Sequence, residues 1–265
     1  MRWSDRRILI TGASGGIGRE LVALLAQRGA RLLIVGRNPG VLTELTTLAP
    51  ERIRALSADL TKPEDRRRVV ETAEETRIDM LVNAAGVNHF GLFDEQSPAA
   101  VSSMVELNVT ATLLLTQALL PRLLHENSAW IVNLGSAFGA IGHPGYTAYC
   151  TTKFALRGFS QALRRELADT PVQVLHISPR ATRTGMNSDR ADALNAALGN
   201  HVDEPAQVAA GVIRGIETQA RDRQLGWPEC LLVRLNGILP GIVDRALKKR
   251  LSTIQQHARR PSPSS

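Results

Sequence analysis

Three features of the sequence predict a doubly wound α/β domain. Short, almost wholly apolar runs alternate with longer segments of helical periodicity. A glycine-rich turn joins the first run to the first helix. No Pro/Gly/Ser-rich linker divides the 265 residues, and no internal repeat is visible. Runs that are apolar throughout belong to a parallel sheet covered on both faces, with right-handed crossovers between strands.

Taken in order, Ile8-Leu9-Ile10 opens the sheet and leads to a helix over about 16–28 carrying Leu21, Leu24 and Leu25. Leu32-Leu33-Ile34-Val35 follows, then the weaker run Arg52-Ile53-Arg54-Ala55-Leu56 and a helix over about 63–75. Met80-Leu81-Val82, a helix over 98–124, Trp130-Ile131-Val132 and a helix over 147–168 come next. Val172-Gln173-Val174-Leu175 and a helix over 204–220 complete the alternation. Between them, Gly185–Asn200 is rich in alanine and small polar residues and reads as a mobile lid, about 185–203. The boundaries are then 1–225 for the domain, 226–258 for a helical extension packed on it, and 259–265 for a frayed tail.

Composition narrows the function classes. The apolar share of 43% and charged share of 22% are those of an ordinary soluble domain. Two cysteines make no disulfide framework and no Cys/His cluster has zinc spacing, so no metal is expected and a reducing, cytoplasmic compartment is. The N-terminal residues reach a strand at once, leaving no room for the roughly 7–15 apolar residues of a signal peptide, and no apolar stretch is expected to approach the roughly 20 needed to span a bilayer. The net charge of +7 raises nucleic acid and anionic membranes as partners. The charge is scattered, however: Arg66, Arg67 and Arg68 sit in a mixed helix alongside Glu64, Asp65, Glu71, Glu74 and Glu75, and no aromatic residues interleave. Nucleic acid is therefore not an expected partner. Only the stretch with Arg245, Lys248, Lys249, Arg250, Arg259 and Arg260 is persistently basic.

Ligands of open α/β sheets bind beyond the carboxyl ends of the strands. The first strand ends in Thr11-Gly12-Ala13-Ser14-Gly15-Gly16-Ile17-Gly18, whose glycines let backbone approach a pyrophosphate at a helix N-terminus. A plain tight turn would look similar, but no Gly-Lys-Ser/Thr follows, which removes a Walker loop. The second strand ends Gly36-Arg37-Asn38, where an arginine suits a 2′-phosphate and an acidic residue would suit a free ribose; a surface arginine at a helix entrance is the bland alternative. NADP(H) is thus preferred to NAD(H). At Asp59-Leu60, the carboxylate either accepts from an adenine amino group or shapes a turn, and both readings stand. Asn83-Ala84-Ala85-Gly86 supplies small residues on which a ring or ribose can lie. The fifth strand ends at Ser136, and Tyr149 and Lys153 then share one face of a helix. A phenol titrates near 10, and a neighbouring ammonium lowers that value towards useful proton transfer. Alone, such a pair is common on helix surfaces.

Together, the glycine pattern Thr11–Gly18, Asn83-Ala84-Ala85-Gly86, Asn108, Ser136, and Tyr149 with Lys153 resemble the short-chain dehydrogenase/reductase family, in its order and spacing, over about residues 7–220. The resemblance implies a Rossmann domain with a mainly parallel sheet of seven strands, or six and a short edge. It implies that Tyr149 is the catalytic acid/base and that Lys153 holds the nicotinamide ribose and lowers the tyrosine. Ser136 would bind the substrate oxygen and Asn108 a water that links Lys153 to solvent. Gly12, Ser14, Gly16, Ile17 and Gly18 would hold phosphates, and Asn83 to Gly86 would support the cofactor. Pro179, Thr182 and Thr184 would meet the carboxamide. A homodimer or homotetramer built on helices 98–124 and 147–168 is also implied. The expected reaction interconverts a carbonyl and a secondary alcohol on a hydrophobic molecule, in a pocket drawn from His89, Phe90, Phe93, Phe138, His143 and Met186. The rival reading is a redox sensor or scaffold that binds NADP(H) without turnover.

Two departures from the family stand out. Arg180 takes the place of a frequent glycine after Pro179; it is either strained by about 1–3 kcal/mol at positive φ, or ordinary, with its side chain towards cofactor phosphates or solvent. The other departure is the extension. Gly226-Trp227-Pro228-Glu229 leads into apolar residues at helical spacing from Leu231 to Ile254, with Pro240 and Gly241 as an interruption. This end resembles lipid- or steroid-directed members. Peripheral membrane contact, a dimer interface and a cover over the pocket are the three readings it leaves.

Overall fold

The computed structural model describes residues 1–259; of the tail expected to fray, 260–265 lie outside the described residues. Seven parallel strands, β1 (Arg7–Thr11), β2 (Arg31–Gly36), β3 (Ile53–Ser57), β4 (Met80–Asn83), β5 (Ala129–Leu134), β6 (Val172–Ser178) and β7 (Asp222–Gln224), form one sheet in the order β3-β2-β1-β4-β5-β6-β7. The chain winds outwards from β1 to β3, then crosses back to β4. The switch point therefore falls between β1 and β4, where Ile8 to Thr11 pair with Met80 to Asn83. The seventh strand is the short edge, three residues paired with His176 to Ser178.

Strand periodicity divides the core in two. Ile8, Ile10, Trp130, Val132, Leu175 and Ile177 face one layer, formed by α1 (Gly16–Gln27), α2 (Pro39–Thr46) and α8 (Pro205–Glu217). Leu9, Ile131 and Val174 face the other, formed by α3 (Pro63–Glu75), α4 (Pro98–Val105), α5 (Thr112–Leu124) and α6 (Thr147–Glu166). α4 and α5 are joined through a π-helical segment, Glu106–Ala111, so Pro98–Leu124 is one helical rod of 27 residues. Contrary to the sequence expectation, this rod is long and apolar enough to cross a bilayer by length and composition. Leu107, Leu115, Leu119 and Leu123 are nevertheless buried against the sheet, as in the core helix of an α/β domain.

Helix α2 was not expected; Asn38 caps it by accepting from Val41 N at 3.2 Å, and Pro39 starts it. The presumed mobile lid also contains a helix, α7 (Asp189–Ala197), capped by Ser188 and anchored by the buried Ala191 and Leu194. The extension folds as α9 (Glu229–Ile238) and α10 (Pro240–Ala258), broken where Pro240 was expected to interrupt it. Ile254 and Ala258 of α10 pack with Ala191 and Leu194 of α7 and with Phe90, Tyr146 and Cys150. The guanidinium of Arg190 closes this contact by donating to the carbonyls of Ala258, Arg259 and Phe90. The packed face of the extension thus backs the wall formed by Phe90 and Tyr146.

Candidate active site

The loops leaving β1, β2, β4, β5 and β6 enclose a cleft of about 590 Å³, joined beside Arg37 to a smaller cavity of about 180 Å³. At the switch point, Thr11 Oγ1 accepts from the N–H groups of Ala84 and Ala85 at 3.1 and 3.2 Å, tying the β1 exit to the β4 exit. Gly12 lies there with φ +68°, and a Cβ on it would fall 2.7 Å from Ala85 backbone; a Cβ on Gly18 would overlap the Gly12 carbonyl. α1 begins without a side-chain cap, and Gly15, Gly16, Ile17 and Gly18 all line the cleft. Uncapped amides at a glycine-rich helix N-terminus fit a pyrophosphate. The smaller cavity is walled by Val35, Ala58, Leu60, Ala85 and Leu107, apolar surfaces that fit a purine, and Gly12, Ser14 and Arg37 border both spaces.

Three predicted cofactor residues are not presented to this space. The Asn38 side chain is spent on capping α2. Asp59 adopts the turn role: its Oδ1 accepts from the N–H and hydroxyl of Thr61 at 3.1 and 2.8 Å, and the Thr61 hydroxyl holds its carboxyl below the ordinary value. Its neighbour Leu60 forms the wall instead. Asn83 points into the core, donating to Asn133 Oδ1 at 2.8 Å and Thr116 Oγ1 at 3.1 Å, while Asn133 donates to Ser160 at 2.9 Å. That buried chain of amides fixes β4 to β5, α5 and α6, leaving Ala84 and Gly86 to line the cleft.

Asn108 sits in the π-helical segment, fully buried. Its amide accepts from Val87 N at 2.8 Å, donates to Val87 O at 2.9 Å, and donates to Thr152 Oγ1 at 3.1 Å. It thereby docks the β4 exit onto α6, one residue before Lys153.

Ser136, Tyr149 and Lys153 converge at one wall. Ser136 ends the β5 exit and accepts from Phe138 N at 3.2 Å; its hydroxyl faces the Tyr149 phenol, on which it acts to lower the pKa. Lys153 lies one turn along α6 with Nζ 5.6 Å from the Tyr149 ring centre, and it donates to Leu134 O at 3.0 Å. Burial pushes the phenol up to about 12 and the lysine down to about 8. The expected lowering of Tyr149 by Lys153 is thus absent from the free protein, where desolvation of both groups dominates. The lysine has a thermodynamic signature. Between its folded value of about 8 and its ordinary 10.5, the unfolded chain holds a proton that the folded chain has lost. Stability therefore rises with pH in that window, by up to about 3 kcal/mol. Tyr149 acts oppositely between 10 and about 12, where the folded chain keeps its proton and stability falls. Urea titrations of wild type and Lys153→Met from pH 7 to about 10 will show the rise in the first and not in the second.

Of the six predicted pocket residues, His89, Phe138 and Met186 line the cleft. Phe90 is buried behind it, 4.8 Å from Tyr146 between ring centres. Phe93 is exposed. His143 stacks on the back of Phe138 at 5.0 Å and borders a separate groove against α10. Tyr146, not identified from the sequence, lines the cleft and packs on Phe138 at 4.9 Å and Tyr149 at 6.3 Å. Its signal was its position one helical turn before Tyr149.

At the β6 exit, Pro179, Thr182 and Thr184 line the cleft. Arg180 has ordinary backbone geometry, since positive φ outside glycine occurs only at Arg77 and Gln219 among the described residues. Its guanidinium does not turn to a phosphate site. It donates to Asp203 Oδ1 at 2.7 Å, Glu229 Oε2 at 3.2 Å and Trp227 O at 2.9 Å, with only 10% of its side chain exposed. Arg180 therefore binds the end of the lid and the start of the extension to the loop that carries Thr182 and Thr184. Arg183 pairs with Glu204 at the surface.

Comparison with known proteins agrees with this architecture. The family model described as short chain dehydrogenase matches residues 6–195. A 3-oxoacyl-[acyl-carrier-protein] reductase of Bos taurus is 35% identical over 188 residues, covering 70% of this chain and 79% of its own. A short-chain dehydrogenase from Streptomyces avermitilis superposes with a TM-score of 0.79 at 28% identity, covering 94% of this chain and 96% of its own. One from Burkholderia cenocepacia, solved in complex with NADP, gives 0.75 at 27% identity, over 86% and 99%. With the family's sheet, glycine loop and Ser136–Tyr149–Lys153 grouping all in place, this chain belongs to the short-chain dehydrogenases, a family of oxidoreductases.

Proposed function

We propose that the protein is an NADP(H)-dependent oxidoreductase that interconverts a carbonyl and a secondary alcohol on a hydrophobic small molecule. One observation carries the reading: Ser136, Tyr149 and Lys153 meet at one wall of the cleft whose other end is the uncapped glycine cradle. A bound dinucleotide supplies or accepts the hydride. In reduction, the Tyr149 phenol donates its proton to the oxygen developing on the substrate, and the Ser136 hydroxyl steadies that oxygen. Burial keeps Tyr149 protonated beforehand, ready to donate. Lys153 holds ribose hydroxyls, and its ammonium, restored by those oxygens, draws the phenol back towards neutrality. The apolar wall of Phe138, Tyr146 and Met186 favours a hydrophobic ketone, aldehyde or alcohol. Cytoplasmic residence, and assembly of two or four copies through the rod 98–124 and α6, belong to the same reading; the exposed Val105, Leu114 and Phe154 on those helices support the assembly.

The NADP preference rests on Arg37, which borders both cavities beside Gly36. A charge-assisted contact to a phosphate is worth about 1.5–3 kcal/mol. Arg37→Ala is therefore expected to weaken NADPH binding roughly 10- to 100-fold and to leave NADH binding nearly unchanged in parallel fluorescence titrations. Equal losses for the two cofactors would remove the preference.

A further inference from the structure

The α9–α10 elbow leaves apolar side chains outside the fold while its inner side is anchored at a few points. No residue of α9 is buried. Trp227, Leu231, Leu232, Ile238, Leu239 and Ile242 are all exposed, Ile238 to 76% and Trp227 to 68%. Poor packing does not explain this. The inner face is anchored by Asn236, which donates to Ala140 O at 2.8 Å, by Glu229 on Arg180, and by the buried Val243. Leu231, Leu235 and Ile238 recur at helical spacing, so the outward face is a stripe with Trp227 at one end.

Exposed cations accompany that stripe: Arg234 on α9, and Arg245 and Lys249 three and seven residues after the exposed Ile242 on α10, with Lys248 at the rim of the neighbouring groove beside His143. The acidic residues nearby are Asp244 and Glu229, and Glu229 is already held by Arg180. A second copy seated on this face through a two-fold axis would set these cations against themselves. An anionic bilayer complements both the apolar stripe and its basic border.

We infer that the α9–α10 elbow docks on an anionic membrane surface and brings the cleft to substrates dissolved in the bilayer. The connection to the cleft is direct, because the Trp227 carbonyl at the root of the elbow is held by Arg180, which lines it. Resting on the proposed oxidoreductase reading, this assigns the substrate to lipid-partitioning carbonyls or alcohols.

The test is co-sedimentation of the full chain with vesicles of phosphatidylcholine, alone or mixed with phosphatidylglycerol. Binding to the mixed vesicles should exceed binding to the neutral ones by roughly tenfold or more, fall with added salt, and be lost in Ile238→Asp/Leu239→Asp. Lys248→Glu/Lys249→Glu should lose the preference for anionic lipid. All these positions are exposed, and unchanged circular dichroism with unchanged turnover of a water-soluble carbonyl will verify that the variants fold. Absent binding, equal binding to both vesicles, or binding that survives the Asp pair overturns the inference. A dimer dissociated by Ile238→Asp/Leu239→Asp, without vesicle binding, overturns it in favour of a second copy. Sedimentation needs no turnover, so vesicle binding by a protein inactive on every carbonyl would sink the enzymatic reading alone.

Discussion

Replacing Tyr149 by phenylalanine will lower turnover by about 10²- to 10⁴-fold and leave NADPH affinity within a few-fold of wild type. The substitution removes one oxygen and retains the ring. That ring packs edge-on to Phe138 with centres 6.5 Å apart and lies beside Tyr146, so the apolar wall should keep its shape. What disappears is the phenol hydroxyl that faces Ser136 and is proposed to donate the proton. The separation of effects is diagnostic: the glycine cradle, Arg37 and the β6 exit stay intact and should bind dinucleotide as before. Steady-state kinetics with a fluorescence titration read both quantities, and a Tyr149→Phe protein that turns over within about tenfold of wild type would remove Tyr149 as the acid.

Arg180→Ala will cost about 3 kcal/mol in denaturant unfolding and will loosen the lid and extension together. The side chains of Arg180 and Asp203 are 10% and 12% exposed, so the pair is largely withdrawn from water. Removing the arginine leaves the Asp203 and Glu229 carboxylates in a partly desolvated site without their cation, and frees the Trp227 carbonyl. An unpaired buried charge is more costly than the pair was worth, hence the size of the effect. Arg180→Lys keeps the charge but not the fork that reaches three acceptors, and should fall between alanine and wild type. Amide exchange will place the loosening at 185–203 and 226–258. A loss under about 1 kcal/mol would mean that the clamp is a surface decoration.

The parts of this molecule legible in its sequence were those with local causes. Alternating residues of β1, β5 and β6 feed two cores, and a strand buried on both faces can only be apolar. Within the first turn, Gly18 is dictated by a contact a few residues away, the Gly12 carbonyl. Tyr149 and Lys153 meet because one helical turn separates them. The parts not legible depend on partners far along the chain. Arg180 finds Asp203 and Glu229, and nothing around residue 180 announces either. Asn83 seemed to belong to the cleft because its neighbours do; its side chain turns the other way, to an amide on β5. Helices α2 and α7 are short and owe their limits to the caps Asn38 and Ser188, a signal weaker than periodicity. The desolvation of Tyr149 and Lys153 was not legible for another reason: spacing shows that charges are near each other but not how dry they are.

The most direct test of the central claim, that this cleft performs dinucleotide-dependent carbonyl chemistry, is NADPH consumption across a panel of hydrophobic ketones and aldehydes. The wild-type protein and Tyr149→Phe should be followed side by side, with the alcohol product identified. The account predicts NADPH oxidation matched one-for-one by alcohol for wild type on at least one compound, and a rate lower by about a hundredfold or more for Tyr149→Phe. Tight NADPH binding with no turnover on any compound would contradict it and mark the protein as a dinucleotide-binding sensor or scaffold.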